Sequence, residues 1–119
     1  MSTMQPEGLA AELELAAPRV RPGEQLGYRI VNSGSFALMC GVGYSLERET
    51  TDGWTLENPR TPFPAIGLLI QPSASLELRA DIPNHAPTGR YRISTSAHTG
   101  HGAELQRVQL SAGFEVRAR

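Results

Sequence analysis

From Leu9 to Val116 the apolar residues of this chain fall largely at every second position, and proline and glycine turn signals cut the alternation into short runs. Leu9, Ala11, Leu13 and Leu15 alternate with Ala10, Glu12, Glu14 and Ala16. All of these are good helix formers, but a spacing of two is met at every step and the 3.6-residue stripe only in part, so the period predicts a strand. Pro18 ends it and Pro22-Gly23 turns the chain. Leu26, Tyr28 and Ile30 form a second run that breaks at Asn32-Ser33-Gly34-Ser35.

The third run is the longest, with Phe36, Leu38, Cys40, Val42, Tyr44 and Leu46 on one parity. Gly41 and Gly43 inside it predict a bulge or bend, since glycine within a strand commonly marks one. Thr51-Asp52-Gly53 predicts a hairpin turn and Trp54 opens the return strand, where it is expected to cover one end of the core. Asn58 to Pro64 carries three prolines and predicts a stiff, extended surface loop. Ile66 to Ile70, Leu76 to Ile82, Arg90 to Thr95 and Arg107 to Arg117 give further strands, separated by Gln71-Pro72-Ser73, Pro83 and Pro87-Thr88-Gly89. All nine prolines fall between runs and none inside one, as expected of a residue that removes a ladder donor. Seven to nine short strands in about a hundred residues predict an all-β, immunoglobulin-like antiparallel β-sandwich. The expected organisation is a flexible amino terminus over 1–7 and a single domain over 8–119.

Length and charge narrow the function classes. A chain of 119 residues buries enough surface to fold without a staple. A formal net charge of -1 with no charge run predicts no nucleic-acid partner. All eleven basic residues are arginine, which fits a coding bias better than selection for bidentate contacts. No run approaches a transmembrane span, so no direct membrane insertion is expected. Met1 to Glu7 lacks a signal-peptide pattern, which reads as cytoplasmic for the chain as written, or as envelope or secreted if a leader precedes it. Cys40 is the single cysteine, which rules out an internal disulfide.

Candidate chemistry is sparse. Cys40 shares a parity with Leu38 and Val42, so it is expected to be a buried, inert thiol. His98, His101 and Glu104 put two imidazoles and a carboxylate, which are ligand types zinc accepts, in one glycine-bearing loop. No nucleophile elbow, phosphate loop, dinucleotide fingerprint or Cys-x-x-Cys occurs, and no cofactor is expected. Arg90 and Arg92 point outward, as do Glu47 and Glu49, and the four would form cross-strand ion pairs if their strands are neighbours. The prolines at 59, 62 and 64 pre-organise a loop with Arg60 and Phe63 as its anchors, and a rigid loop loses little entropy when a partner closes on it.

Gly43-Tyr44-Ser45-Leu46-Glu47-Arg48, Asp52-Gly53-Trp54, Phe63, Ile66-Gly67, the Pro72-Ser73-Ala74-Ser75-Leu76 turn and Pro87-Thr88-Gly89-Arg90-Tyr91-Arg92-Ile93 together resemble a bacterial immunoglobulin-like domain family. The resemblance covers roughly residues 16–96. It implies a small sandwich of the kind found alone or in bacterial envelope proteins and lipoproteins, with no established activity, and it puts a core aromatic at Phe63. The family's usual Pro-Gly turn is Pro72-Ser73 here. Asn32-Ser33, Trp54 and Gly89-Arg90-Tyr91 also resemble, more weakly, the bacterial intracellular proteinase inhibitors.

The expected function is therefore a non-enzymatic module that binds a protein through Arg60, Phe63, Arg90 and Arg92, as a monomer or weak dimer. The alternatives are an inhibitor of subtilisin-type serine proteases using residues 58–65, and a metal-binding module at residues 98–104.

Overall fold

The computed structural model describes residues 9–59, 61–99 and 106–118, and the amino-terminal stretch 1–7 lies outside them. Ten strands follow one another: β1 (Ala11–Leu15), β2 (Arg19–Val20), β3 (Gln25–Asn32), β4 (Leu38–Cys40), β5 (Ser45–Thr50), β6 (Gly53–Leu56), β7 (Leu68–Ile70), β8 (Ser75–Asp81), β9 (Gly89–Thr99) and β10 (Arg107–Val116). A smaller sheet has the order β1-β3-β8. A larger one runs β2-β10-β9-β4-β7, with β5 paired to both β9 and β6. The two pack face to face as an immunoglobulin-like β-sandwich, as the alternation requires. The count exceeds seven to nine because β2 is a two-residue strand and the long third run is divided in two.

The division has a local cause. Leu38 to Cys40 pair with Ala97 to Thr99, and Ser45 to Arg48 pair with Tyr91 to Ser94. The four residues from Gly41 to Tyr44 therefore stand opposite only Thr95 and Ser96, and this surplus is the bend that the two glycines forecast. Thr95 Oγ1 donates to the Gly43 carbonyl at 2.9 Å and holds the bulged backbone. A Cβ on Gly43 would stand 3.3 Å from the Phe63 ring, so close approach also favours glycine there.

Pro18 lets the first strand change sheets. β1 lies antiparallel to β3, with Leu13 and Leu15 opposite Ile30 and Tyr28. Beyond the proline, β2 runs parallel to β10, and Glu115 and Arg117 donate their N–H groups to the carbonyls of Pro18 and Val20. Proline tolerates this corner because its own missing N–H is not needed by either ladder.

The core takes Leu26, Tyr28, Ile30 and Ala80 from the smaller sheet. Leu38, Leu46, Tyr91, Ile93, Val108, Leu110, Phe114 and Val116 come from the larger one. A fully buried side chain of this size stabilises the fold by about 1.5–3 kcal/mol relative to exposure. Two polar clips fasten the core's margins. Tyr91 donates its hydroxyl to the Pro87 carbonyl at 2.6 Å, a tyrosine corner of the kind seen in immunoglobulin sandwiches. Asn32, 1% exposed at the end of β3, donates from Nδ2 to the carbonyls of Phe36 and Ile70 at 2.8 and 2.9 Å. Its Oδ1 accepts from the Gly34 N–H at 3.1 Å. One side chain thus ties the smaller sheet to the free edge of the larger.

Two turns share one geometry with different residues. The Glu24 N–H bonds the Arg21 carbonyl across Pro22-Gly23, and the Ala74 N–H bonds the Gln71 carbonyl across Pro72-Ser73. Gly23 has φ 85° and Ser73 φ 70°, so the serine holds a left-handed position that glycine occupies without strain.

Candidate functional site

The β5-β6 hairpin builds the most distinctive surface of the described residues. Thr50 pairs with Gly53, whose φ of 115° supplies the left-handed residue of the turn. Thr50 Oγ1 accepts from the Asp52 N–H and donates to the Gly53 carbonyl. This pairing sets Glu49 opposite Trp54 and Glu47 opposite Leu56. Because the two glutamates face outward, both apolar residues must share that outer face. Trp54 is 40% exposed and does not cover an end of the core, correcting the expectation for this residue.

β5 is also the neighbour of β9, with Glu47 opposite Arg92. The conditional ion pairs form: Arg92 Nε donates to Glu47 Oε1 at 2.7 Å, and Arg90 lies 3.6 Å from Glu49. Arg92 also stacks over the Trp54 ring, its Cζ 4.3 Å from the ring centroid. Such a contact contributes about 0.5–1 kcal/mol at an exposed site and holds the indole in one orientation. Arg90 and Arg92 are thus brought together with an exposed aromatic that the sequence reading assigned elsewhere.

The proline loop is fastened where it leaves β6. Asn58 Oδ1 accepts from the Leu46 N–H at 2.8 Å, and its Nδ2 donates to the Tyr44 carbonyl at 3.0 Å, so the side chain extends the pairing of β5. Phe63 is half-buried and meets Tyr44 edge-on at 4.8 Å between ring centroids. It flanks a shallow depression of about 410 Å³ lined also by Gly43, Ser45, Ser94, Ser96 and Gln109. Arg60, the other anchor expected for this loop, lies outside the described residues.

Of the three metal-ligand candidates, His101 and Glu104 also lie outside the described residues. His98 sits on the outer face of β9 opposite Met39, and its Nδ1 donates to the Thr99 carbonyl at 2.8 Å. Among the described residues no three histidine, cysteine, aspartate or glutamate side chains converge as a metal set. Cys40 is buried, and burial pushes its thiol above the ordinary range, which suppresses the reactive thiolate.

Beyond the hairpin, Phe36, Ile66 and Leu69 are the other large hydrophobics left exposed among the described residues. Leu69 lies opposite Met39 on the outer face, 56% exposed, and a Cβ on Gly67 would stand 3.0 Å from the Met39 terminal methyl. The sequence carried a signal for Trp54 and Leu56, because their parity follows from Glu49 across the turn. It carried none for Leu69, whose exposure depends on β7 having no further neighbour in the sheet.

Comparison with known proteins gives two structural neighbours and one family match. A sporulation control protein of Bacillus subtilis, Spo0M, aligns at 15% identity and a TM-score of 0.49 over 92% of this chain and 49% of that one. A family 123 glycoside hydrolase from Clostridium perfringens aligns at 15% identity and a TM-score of 0.52 over 94% of this chain and 28% of that one. This chain spans about half the length of the first and just over a quarter of the second, and at 15% identity the likeness to the glycoside hydrolase is one of fold alone. No curated protein sequence matches. A family model described as a bacterial Ig-like domain matches residues 8–115. With its sandwich, its tyrosine corner and nearly its whole length matched, the chain belongs to the bacterial Ig-like domain family.

Proposed function

We propose that this domain is a non-enzymatic interaction module that receives a protein partner on the β4-β7 side of its larger sheet. One observation carries the reading: every large hydrophobic left exposed among the described residues, namely Phe36, Trp54, Leu56, Ile66 and Leu69, falls between residues 36 and 69 on that side. A partner of stated chemistry fits it, a polypeptide surface with an apolar centre and a rim able to meet Arg90 and Arg92. Interfaces take this form, an apolar centre with aromatic and arginine anchors inside a polar margin. Trp54 under Arg92 is the principal anchor, since its orientation is fixed before the partner arrives.

Phe63 supports the depression beside this surface. The alternative of a proteinase inhibitor acting through residues 58–65 gains nothing from the geometry, because Phe63 packs on Tyr44 and is not offered outward. The reading is tested by crosslinked capture from fractionated source cells. Native protein and the Trp54→Ser, Leu69→Asp variant are compared, with an Arg60→Ala, Phe63→Ala variant as control. Loss of one discrete partner in the first variant is the expected result. A partner retained by it and lost with the loop variant would move the site to the proline loop.

A further inference from the structure

The sandwich guards its strand edges unequally. A free edge invites pairing with another chain, and proteins blunt edges with charge, proline or brevity. β1 carries Glu12 and Glu14, β8 carries Glu77, Arg79 and Asp81, β2 is two residues long between Pro18 and Pro22, and β7, uncharged, is only three residues long and is followed by Gln71-Pro72. β6, four residues long, has neither charge nor proline: Gly53, Trp54, Thr55 and Leu56 are uncharged, and all four are exposed.

Its backbone shows which groups are open. The Glu57 N–H donates to the Leu46 carbonyl at 2.7 Å, so that pair is hydrogen-bonded. Hydrogen-bonded and non-hydrogen-bonded pairs alternate along an antiparallel ladder, which makes Arg48 with Thr55 the next bonded pair. Thr55 therefore spends its N–H and C=O on β5, whereas those of Trp54 and Leu56 point to the free edge.

Resting on the reading of this side as an interface, we infer that its occupant is a second copy of this chain, joined β6 to β6 antiparallel about a two-fold axis at Thr55. This register sets Trp54 of each copy opposite Leu56 of the other, and the four open N–H and C=O groups on each strand find partners. It also gathers two tryptophans and two leucines on one outer face, bordered on either side by the Arg92 to Glu47 and Arg90 to Glu49 pairs. The charges are compatible with self-pairing. No charged residue lies among the four central positions; of the two flanking ones, Glu57 falls opposite Gly53 and is held by Arg48 at 2.8 Å, and Asp52 falls opposite Asn58. The same operation on β1 about Leu13 would set Glu12 against Glu14, a like-charge pair that disfavours it. The interface is isologous and closes on itself, so it yields a dimer and no filament.

The experiment is sedimentation of the full chain over a wide concentration range, with Thr55→Lys and Thr55→Cys variants whose folding is checked by circular dichroism. The native chain is expected to pass from monomer to dimer, and Thr55→Lys, which sets two ammonium groups face to face, is expected to remain monomeric throughout. In Thr55→Cys the two Cβ atoms of a directly opposed, non-hydrogen-bonded pair lie within disulfide range, so mild oxidation is expected to yield a covalent dimer that reduction dissolves. A native chain monomeric at every concentration, a folded Thr55→Lys protein that still dimerises, or a folded Thr55→Cys protein that resists crosslinking would each overturn the inference. If self-association fails while a different partner is still captured through Trp54 and Leu69, the pairing falls and the interface reading stands. Capture unaffected by Trp54→Ser, Leu69→Asp removes the interface reading instead.

Discussion

The two outer faces of this sandwich are made from the same alternating pattern and both carry cross-strand ion pairs, but only one adds large exposed hydrophobics. On the smaller sheet, Glu14, Arg29 and Glu77 lie in one row across β1, β3 and β8, and Arg29 Nη2 and Nε both donate to Glu14. Gln25 bridges the next strand by donating to Asp81 at 2.8 Å. On the far side of the larger sheet, the Arg92 to Glu47 and Arg90 to Glu49 pairs stand beside exposed Trp54 and Leu56, and Leu69 is exposed farther along. A shared fold therefore fixes which residues face out, while the side chains placed there decide whether that surface repels or invites a neighbour.

Asn32 joins the two regions, and breaking it should have the largest effect. Asn32→Ala leaves the buried carbonyls of Phe36 and Ile70 without their shared donor, which is expected to cost about 2–3 kcal/mol. Urea unfolding checks this, with the midpoint falling and the slope unchanged.

A pair of tyrosines, one from each sheet, sharpens the contrast. Tyr91→Phe removes the donor to Pro87 and is expected to cost about 1 kcal/mol. Tyr28 has a buried hydroxyl with no partner, so Tyr28→Phe is expected to leave stability unchanged or raise it by up to about 1 kcal/mol. Burial, assisted by the charge of Glu57 and opposed by Arg48, pushes Tyr91 from its ordinary value of 10 up to about 12. The unfolded chain then loses this proton first as pH rises. The Tyr91 contribution is complete below pH 10 and is lost as pH climbs through about 12. Thermal melts across that window should fall more gently for Tyr91→Phe than for the native chain.

Ser73→Gly is expected to stabilise by about 1 kcal/mol, because the left-handed φ of 70° costs serine what Gly23 avoids at the matching turn. An unchanged melting temperature would show that the Pro72 turn carries no such strain. The smallest effect belongs to the charged face. Glu14→Gln removes an exposed ion pair and should move the urea midpoint barely at all, with any change vanishing at high salt.

Much of this fold was legible in the alternation. β3, β8 and β10 lie where the period of two placed them, and the bend at Gly41 and Gly43 forms where glycine interrupts the longest run. Trp54 was legible too, because Glu49 across a tight turn fixes its parity and puts it on the outer face and not over the core. Asn32 read only as a turn residue, since the carbonyls it serves lie 4 and 38 residues away in sequence and nothing local records them. The metal candidate at His98, His101 and Glu104 and the anchor Arg60 were named from the sequence, and apart from His98 they lie outside the described residues.

By itself the sequence determined the strands, their inward faces and the bend, because these follow from local steric preference and from the alternation of buried and exposed positions along one chain. Only the tertiary structure decided which strands became edges, and so which backbone groups and hydrophobic side chains were left open. An edge exists by the absence of a neighbour, and that absence is settled by how ten strands divide between two sheets, which no local pattern encodes.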